Sequence, residues 1–189
     1  MKIRELSPEL WPAFEALFGE KGACAGCWCM FWRTEKGESF DDVKGPKAKR
    51  RMKAMVLAGE ALGALAFEGE EAIGWCSYGP RRSYARLDRA PSLACDDADQ
   101  VWSVPCFFIH RDHRDKGVAT ALLAFAVKAC ERRGAAIVEG YPTAPTAAGK
   151  RSPAAFIYTG LPSMFEAAGF ARTGPKKPGK QRMRRGAGR

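Results

Sequence analysis

The chain has 189 residues, 46% of them apolar, and a formal net charge of +10, enough for one domain with a proper hydrophobic core. No segment approaches the run of about 20 apolar residues that spans a bilayer, and Met1-Lys2-Ile3-Arg4-Glu5 lacks the apolar stretch of a signal peptide. Seven cysteines, an odd number without an export signal, speak against a disulfide framework and for reduced thiols at a cytoplasmic address.

Lys2 to Leu6 reads as a short first strand. Ser7-Pro8 then gives a helix-start signal, Ser at the N-cap and Pro in the first turn. Leu10, Trp11, Phe14, Leu17 and Phe18 recur at three- and four-residue spacings on one side of that helix, and Gly19 ends it. Glu20 to Asp42 is a long loop rich in Gly and aromatics. Gly45-Pro46 opens a second helix that runs through Ala58 and closes at Gly59. Two strand patterns, Ala61 to Phe67 and Glu71 to Tyr78, flank Glu68-Gly69-Glu70 as a hairpin would. Gly79 to Gln100 is irregular.

Val101 to Ile109 is the strongest strand, β-branched, aromatic and almost uncharged, which predicts burial on both faces. Gly117 to Arg133 is the strongest helix. Its apolar stripe is Val118, Leu122, Phe125, Ala126 and Ala129, with Lys128, Arg132 and Arg133 at the C-terminal end. Ala135 to Tyr141 is a further strand, Leu161 to Ala168 a short helix, and Gly169 to Thr173 the start of a strand. This order predicts a mixed α/β (α+β) single domain, a central sheet flanked by helices.

Seven of the ten net positive charges lie after Gly174, on Lys176, Lys177, Lys180, Arg182, Arg184, Arg185 and Arg189, with no acidic residue among them. Residues 1–173 therefore form the expected domain. Residues 174–189 read as a basic tail, with a last edge strand inside it as one option. Such a tail is a solvated segment or a handle for polyanions, and the solvated reading is the plainer one.

The chemistry concentrates between the strongest strand and the strongest helix, at His110-Arg111-Asp112-His113-Arg114-Asp115-Lys116-Gly117-Val118-Ala119-Thr120. The first N–H groups of a helix lack internal partners, and the macrodipole places partial positive charge there. Gly117 lets a ligand approach the backbone, Ala119 keeps the next turn small, Thr120 adds a hydroxyl, and Arg114 and Lys116 bring positive charge. These features suit a phosphate or pyrophosphate. Neither the P-loop pattern nor the dinucleotide-binding glycine pattern is present.

Arg114-Asp115-Lys116-Gly117-Val118-Ala119 resembles the [Q/R]-x-x-G-x-[G/A] turn of the GNAT superfamily of acyl-CoA-dependent N-acetyltransferases, with an apolar strand before it and an alanine-rich helix after it. Met164-Phe165-Glu166-Ala167-Ala168-Gly169-Phe170 is similar to that family's late helix ending in "Y-E-x-x-G-F". Cys-Trp-Cys-Met-Phe-Trp-Arg early and Val-Glu-Gly-Tyr-Pro later resemble uncharacterised bacterial members. The resemblance implies a GNAT-like fold and acetyl-CoA as co-substrate. It implies a pyrophosphate site at Arg114, Asp115, Lys116, Gly117, Val118, Ala119 and Thr120, and main-chain bonds to pantetheine from Phe108 and Ile109. Such folds are compatible with a homodimer.

The implied reaction is direct attack of an amine on a thioester. It needs an unprotonated amine, a fixed donor for the developing oxyanion and an acid for the departing thiolate. The Phe108 N–H is the candidate donor. Glu139, the only acid in the strand 135–141, is the candidate base, with pairing to an arginine as the competing reading. The family has Tyr where this chain has Phe165, so Tyr158, or Tyr141, would replace it as the acid.

Trp28, Phe31, Trp32 and Tyr141 are candidate walls of the acceptor site, with Arg33 at its rim, although core packing accounts for such aromatics equally well. Cys24, Cys27 and Cys29 form one incomplete metal knuckle, and no metal is expected. The expected acceptor is a primary amine of a small molecule or peptide. A nucleic-acid-linked amine held through the basic tail, and a catalytically silent CoA-binding module, are the alternatives, separated by thioester turnover and salt-dependent retention.

Overall fold

The hairpin expected around Glu68-Gly69-Glu70 forms the second and third strands of a seven-stranded sheet. In the computed structural model, which describes residues 1–144, 158–173 and 179–186, the hairpin strands are β2 (Gly63–Glu68) and β3 (Glu71–Pro80). β1 (Lys2–Glu5) pairs antiparallel with β2, and β4 (Val101–Ile109) antiparallel with β3. β5 (Ile137–Gly140) lies parallel to β4, joined to it through the long helix α5 (Val118–Arg132), the crossover that parallel neighbours require.

The chain's end departs from the expected tail. Residues Met183–Gly186 form β9, inserted between β5 and β7 (Ala171–Arg172), so the sheet order is β1-β2-β3-β4-β5-β9-β7. β9 is therefore an interior strand rather than an edge strand or a solvated tail. Its arginines find anions and carbonyls inside the fold: Arg184 reaches Asp97 and Glu139, and Arg185 reaches Glu131 and the Ala168 carbonyl, while Arg182, just before the strand, reaches the Ala94 carbonyl. Lys176, Lys177 and Arg189 lie outside the described residues. A small second sheet pairs β6 (Thr143–Ala144) with β8 (Gly179–Lys180).

Strand alternation assigns the two faces of the sheet. Ala64, Ala66, Ile73, Cys76, Val104 and Phe107 face α5, meeting Leu122, Leu123, Ala126 and Val127. Leu65, Phe67 and Trp75 face the other way, onto α1 (Trp11–Phe18) and α3 (Pro46–Leu57), where Phe14, Phe18, Met52 and Val56 close the core. Each of the buried Val, Leu, Ile, Phe and Met side chains among these contributes about 1.5–3 kcal/mol. α1 starts at Trp11 because Pro8–Leu10 forms a 3-10 turn first, and Ser7 makes no side-chain cap there. The long loop 20–42 contains short turns and a four-residue helix α2 (Phe40–Val43). The irregular stretch 79–100 contains another, α4 (Ala85–Asp88). α6 (Pro162–Ala167) is the last helix among the described residues. No described helix is long and apolar enough to cross a membrane.

Two details of this frame place the functional region. Gly74 of β3 lies under the start of α5, where a Cβ would come within 2.8 Å of Val118. Glycine there lets the helix N-terminus press onto the sheet. In β4, Ser77 pairs with Cys106 but Gly79 pairs with Ser103, so Val104 and Pro105 together oppose Tyr78. This is a β-bulge, with proline at a position where a missing N–H is tolerated. The pairing of β4 with β5 ends at Val104–Gly140, beside the bulge. Beyond it the two parallel strands part.

Candidate active site

The parting strands and the α5 N-terminus form one continuous region of main chain. Gly117 is the N-cap of α5, at φ 79° in the left-handed region, with nothing within 4 Å of the Cβ it lacks. Its conformation, rather than crowding, calls for glycine. Ala121 is the first residue of the helix to donate, to the Gly117 carbonyl at 3.0 Å, so Val118, Ala119 and Thr120 direct N–H groups outward by helix geometry. Residues 114–117 are exposed. Arg114 folds back, its Nε donating to the Ile109 carbonyl at 3.2 Å.

The phase of β4 fixes which main-chain groups face the opening. The Phe107 N–H donates to the Tyr158 carbonyl at 2.6 Å, on the side away from β3, while the His110 N–H donates to the Ile73 carbonyl of β3 at 2.9 Å. Successive residues alternate, so the Phe108 N–H points to β3, where Trp75 is its register partner. The Phe108 amide is thus committed to the sheet and is not the oxyanion donor. The Ile109 N–H takes the cleft side. Its neighbour Phe108 instead packs its ring on Phe18, with centroids 5.4 Å apart.

Across the cleft, Phe31, Trp32 and Tyr158 form an aromatic box, with Phe31–Trp32 centroids 5.1 Å and Phe31–Tyr158 centroids 6.1 Å apart. Burial, reinforced by the neighbouring Cys106 and Cys27 thiols, pushes the Tyr158 phenol above its ordinary pKa, so it is held protonated. Trp28 does not join this wall. It is buried between Trp11, Phe14 and Phe18 and belongs to the core under α1. Arg33 is buried rather than at a rim, donating to the Ser83 carbonyl at 3.1 Å and stacking over the Tyr84 ring.

Glu139 and Tyr141 are also drawn inward. Glu139 is 0% exposed, and its two oxygens accept from Arg81 at 2.6 Å, Tyr141 at 2.7 Å and Arg184. The Tyr141 hydroxyl in turn meets Arg81 at 2.7 Å and Ser103 at 2.7 Å. Strand register explains the cluster, since Ser103, Glu139 and Arg184 are cross-strand neighbours on β4, β5 and β9. Fully buried and with both oxygens bonded to guanidiniums or a phenol, this carboxylate is walled off from an incoming amine. Glu139 is an ion-pair centre and Tyr141 part of its shell, not base and pocket wall. Arg81, fully buried and bonded also to Asp88 and the Leu93 carbonyl, is the key member. Its position in an irregular arginine-rich stretch gave no signal of this in the sequence.

The cysteine loop packs against the same strand. Cys29 accepts a hydrogen bond from Trp75 Nε1 at 3.3 Å. The Cys106 thiol, the nearby Arg33 charge and Trp75 lower its pKa against burial, while the same thiol–thiol bond raises that of Cys106. Among the described residues no three His, Cys, Asp or Glu side chains are grouped as a metal site. Phe165, at the family's tyrosine position, is fully buried, its ring filling the space where a Gly140 Cβ would stand and lying edge-on to Phe107 and Phe170.

The family model of the GNAT acetyltransferases matches residues 17–146, from the end of α1 through the turn and past β6. The chain belongs to the GNAT family. Solved structures agree on the fold of this GNAT protein. An N-acetyltransferase from Staphylococcus aureus Mu50 aligns at TM-score 0.58 and 12% identity, covering 99% of this chain and 98% of that one. A ribosomal-protein-alanine N-acetyltransferase from Brucella melitensis aligns at 0.57 and 16%, covering 98% and 99%. The PaiA N-acetyltransferase from Thermoplasma acidophilum, solved with coenzyme A, aligns at 0.54 and 14%, covering 98% and 99%. No curated protein matches significantly by sequence.

Proposed function

We propose that this GNAT protein moves an acetyl group from acetyl-CoA to a primary amine by direct attack, with both substrates bound together. The observation that carries the reading is the joining of the β4–β5 parting at Pro105 to the left-handed Gly117 turn. One main-chain surface thereby offers the Ile109 N–H at one end and the first-turn N–H groups of α5 at the other. Gly117 is exposed with nothing within 4 Å of the Cβ it lacks, which leaves a pyrophosphate free to approach the helix N-terminus. Coenzyme A accompanies the Thermoplasma enzyme, and acetyl-CoA a phosphinothricin acetyltransferase from Sinorhizobium meliloti that aligns at TM-score 0.56 and 14% identity.

When bound, acetyl-CoA supplies an activated acyl group on a thiol leaving group. The residues of the chain would then act as follows. Val118, Ala119 and Thr120 amides, with Arg114 and Lys116 beside them, hold the diphosphate. The Ile109 N–H, fixed by the sheet, donates into the cleft where charge develops. Tyr158, kept protonated by burial, is the candidate donor to the departing sulfur. With Glu139 committed to arginines, the amine loses its proton to solvent on entry, and positioning supplies much of the rate. The test is amine-dependent release of CoA, followed against an amine library. Tight acetyl-CoA binding with no turnover on any amine would replace this reading with a silent CoA-binding module.

A further inference from the structure

Most arginines around the buried ion cluster are matched to carboxylates. Arg81 has Glu139 and Asp88, Arg82 has Asp99, and Arg184 has Asp97 and Glu139. The cations at the aromatic box are different. Lys180 of β8 lies with its Nζ 5.3 Å from the Tyr158 ring centroid and 5.7 Å from that of Trp32. Arg86 of α4 lies with its Cζ 4.1 Å from the Phe31 centroid. Neither has a carboxylate partner among the described residues; Arg86 reaches only the Thr34 hydroxyl, at 3.5 Å. Residues 145–157 and 174–178 contain no Asp or Glu at all.

Two further observations bear on the box itself, and one on Arg86 alone. Burial and the neighbouring Arg86 charge both lower the Lys180 pKa, so the fold holds this charge at a disadvantage that an anion would relieve. Trp32 Nε1 is a buried donor without a partner among the described residues, and such groups are rare unless a ligand or water serves them. Arg86 also borders an open depression of about 360 Å³, lined by Arg89, Ala90 and Glu38. Arg89 there donates to the Thr34 carbonyl at 2.6 Å, and Glu38 is held by Arg51 at 2.9 Å.

Resting on the acetyltransferase reading, we infer that the acceptor is an amine that also carries a carboxylate. Lys180 and Arg86 receive that carboxylate, while Phe31, Trp32 and Tyr158 wall its apolar part. The box combines a flat apolar surface with two positive charges, which suits a zwitterionic amino acid and disfavours a simple cationic amine. Arg86 provides a planar fork for the two oxygens and Lys180 a point charge beside it.

The probes are phenylalanine, phenylalanine amide and phenethylamine as acceptors, and N-acetylphenylalanine against N-acetylphenethylamine as equilibrium ligands in the presence of CoA. The expected result is a KM at least tenfold lower for phenylalanine than for either uncharged-end analogue, and calorimetric binding of N-acetylphenylalanine alone. In Lys180→Met and Arg86→Met the preference should fall to within about twofold, with acetyl-CoA affinity serving as the control for folding. Equal use of the three amines, equal or absent binding of the two acetylated ligands, or an intact preference in both variants would overturn the inference. Turnover that ignores the carboxylate leaves the acetyltransferase reading standing, whereas acetyl-CoA binding with no amine acetylated removes that reading instead.

Discussion

The two ends of the cleft are built on opposite principles. At the proposed pyrophosphate site the groups offered are main-chain amides at the start of α5, and the side chains of residues 114–117 beside them are exposed. At the proposed acceptor end the groups offered are side chains, drawn from β8, α4 and loops far apart in sequence, next to a buried ion cluster. A site made of backbone tolerates change everywhere except at the residues that set its φ and ψ. A site made of side chains depends on every partner that holds them.

The largest expected effect tests the ion cluster. Arg81→Leu removes the partner of a fully buried Glu139 and should cost about 3–5 kcal/mol, read by denaturant unfolding. A loss below about 1 kcal/mol would show that the fold does not depend on the cluster. Trp28→Ala should destabilise by a similar amount, about 3–5 kcal/mol, as a core aromatic. It should leave the acceptor KM of the surviving folded enzyme within twofold; a selective rise in KM would return Trp28 to the pocket wall. Glu139→Gln should likewise lower Tm yet leave the shape of the pH–rate profile unchanged, and a lost ionisation in that profile would restore its role as base.

Gly117→Val tests the other end. The left-handed φ is unfavourable for a β-branched residue by roughly 1–3 kcal/mol, and acetyl-CoA affinity measured by calorimetry should fall at least tenfold. Unchanged affinity would remove the pyrophosphate assignment. The smallest effect is electrostatic. The Arg184 hydrogen bond holds the Asp97 carboxyl well below the usual carboxylate range. Its folded pKa is depressed, so its contribution is complete above the unfolded value of about 3.9 and fades as pH falls below it. Asp97→Asn should flatten the acid limb of stability below about pH 4 and, for a partly exposed pair, lower stability at neutral pH by about 1 kcal/mol or less.

Legibility in the sequence followed the same division. The strand at 101–109, the helix from Val118 and the need for glycine at 117 were readable because each rests on local periodicity or local φ. Pro105 inside that strand was a local signal of the bulge as well. The choice between the Phe108 and Ile109 amides was not readable, because phase depends on which edge pairs with β3. Trp28 and Phe31 lie three residues apart in one aromatic run, yet one fills the core under α1 and the other packs against Trp32 and Tyr158.

The sequence alone determined the mixed α/β order, the glycine turn between strand and helix and the family resemblance, because backbone geometry and hydrophobic period are written residue by residue. Only the tertiary structure decided that the basic C-terminal residues build an interior strand, that Glu139 is bound by Arg81 and Arg184, and that Lys180 stands beside Arg86 at an aromatic box. A charge run is indistinguishable from a tail until its partners are known. Those partners lie up to about 90 residues away in the chain, at separations such as the 87 between Arg184 and Asp97. Only sheet register and packing bring them within a hydrogen bond's length.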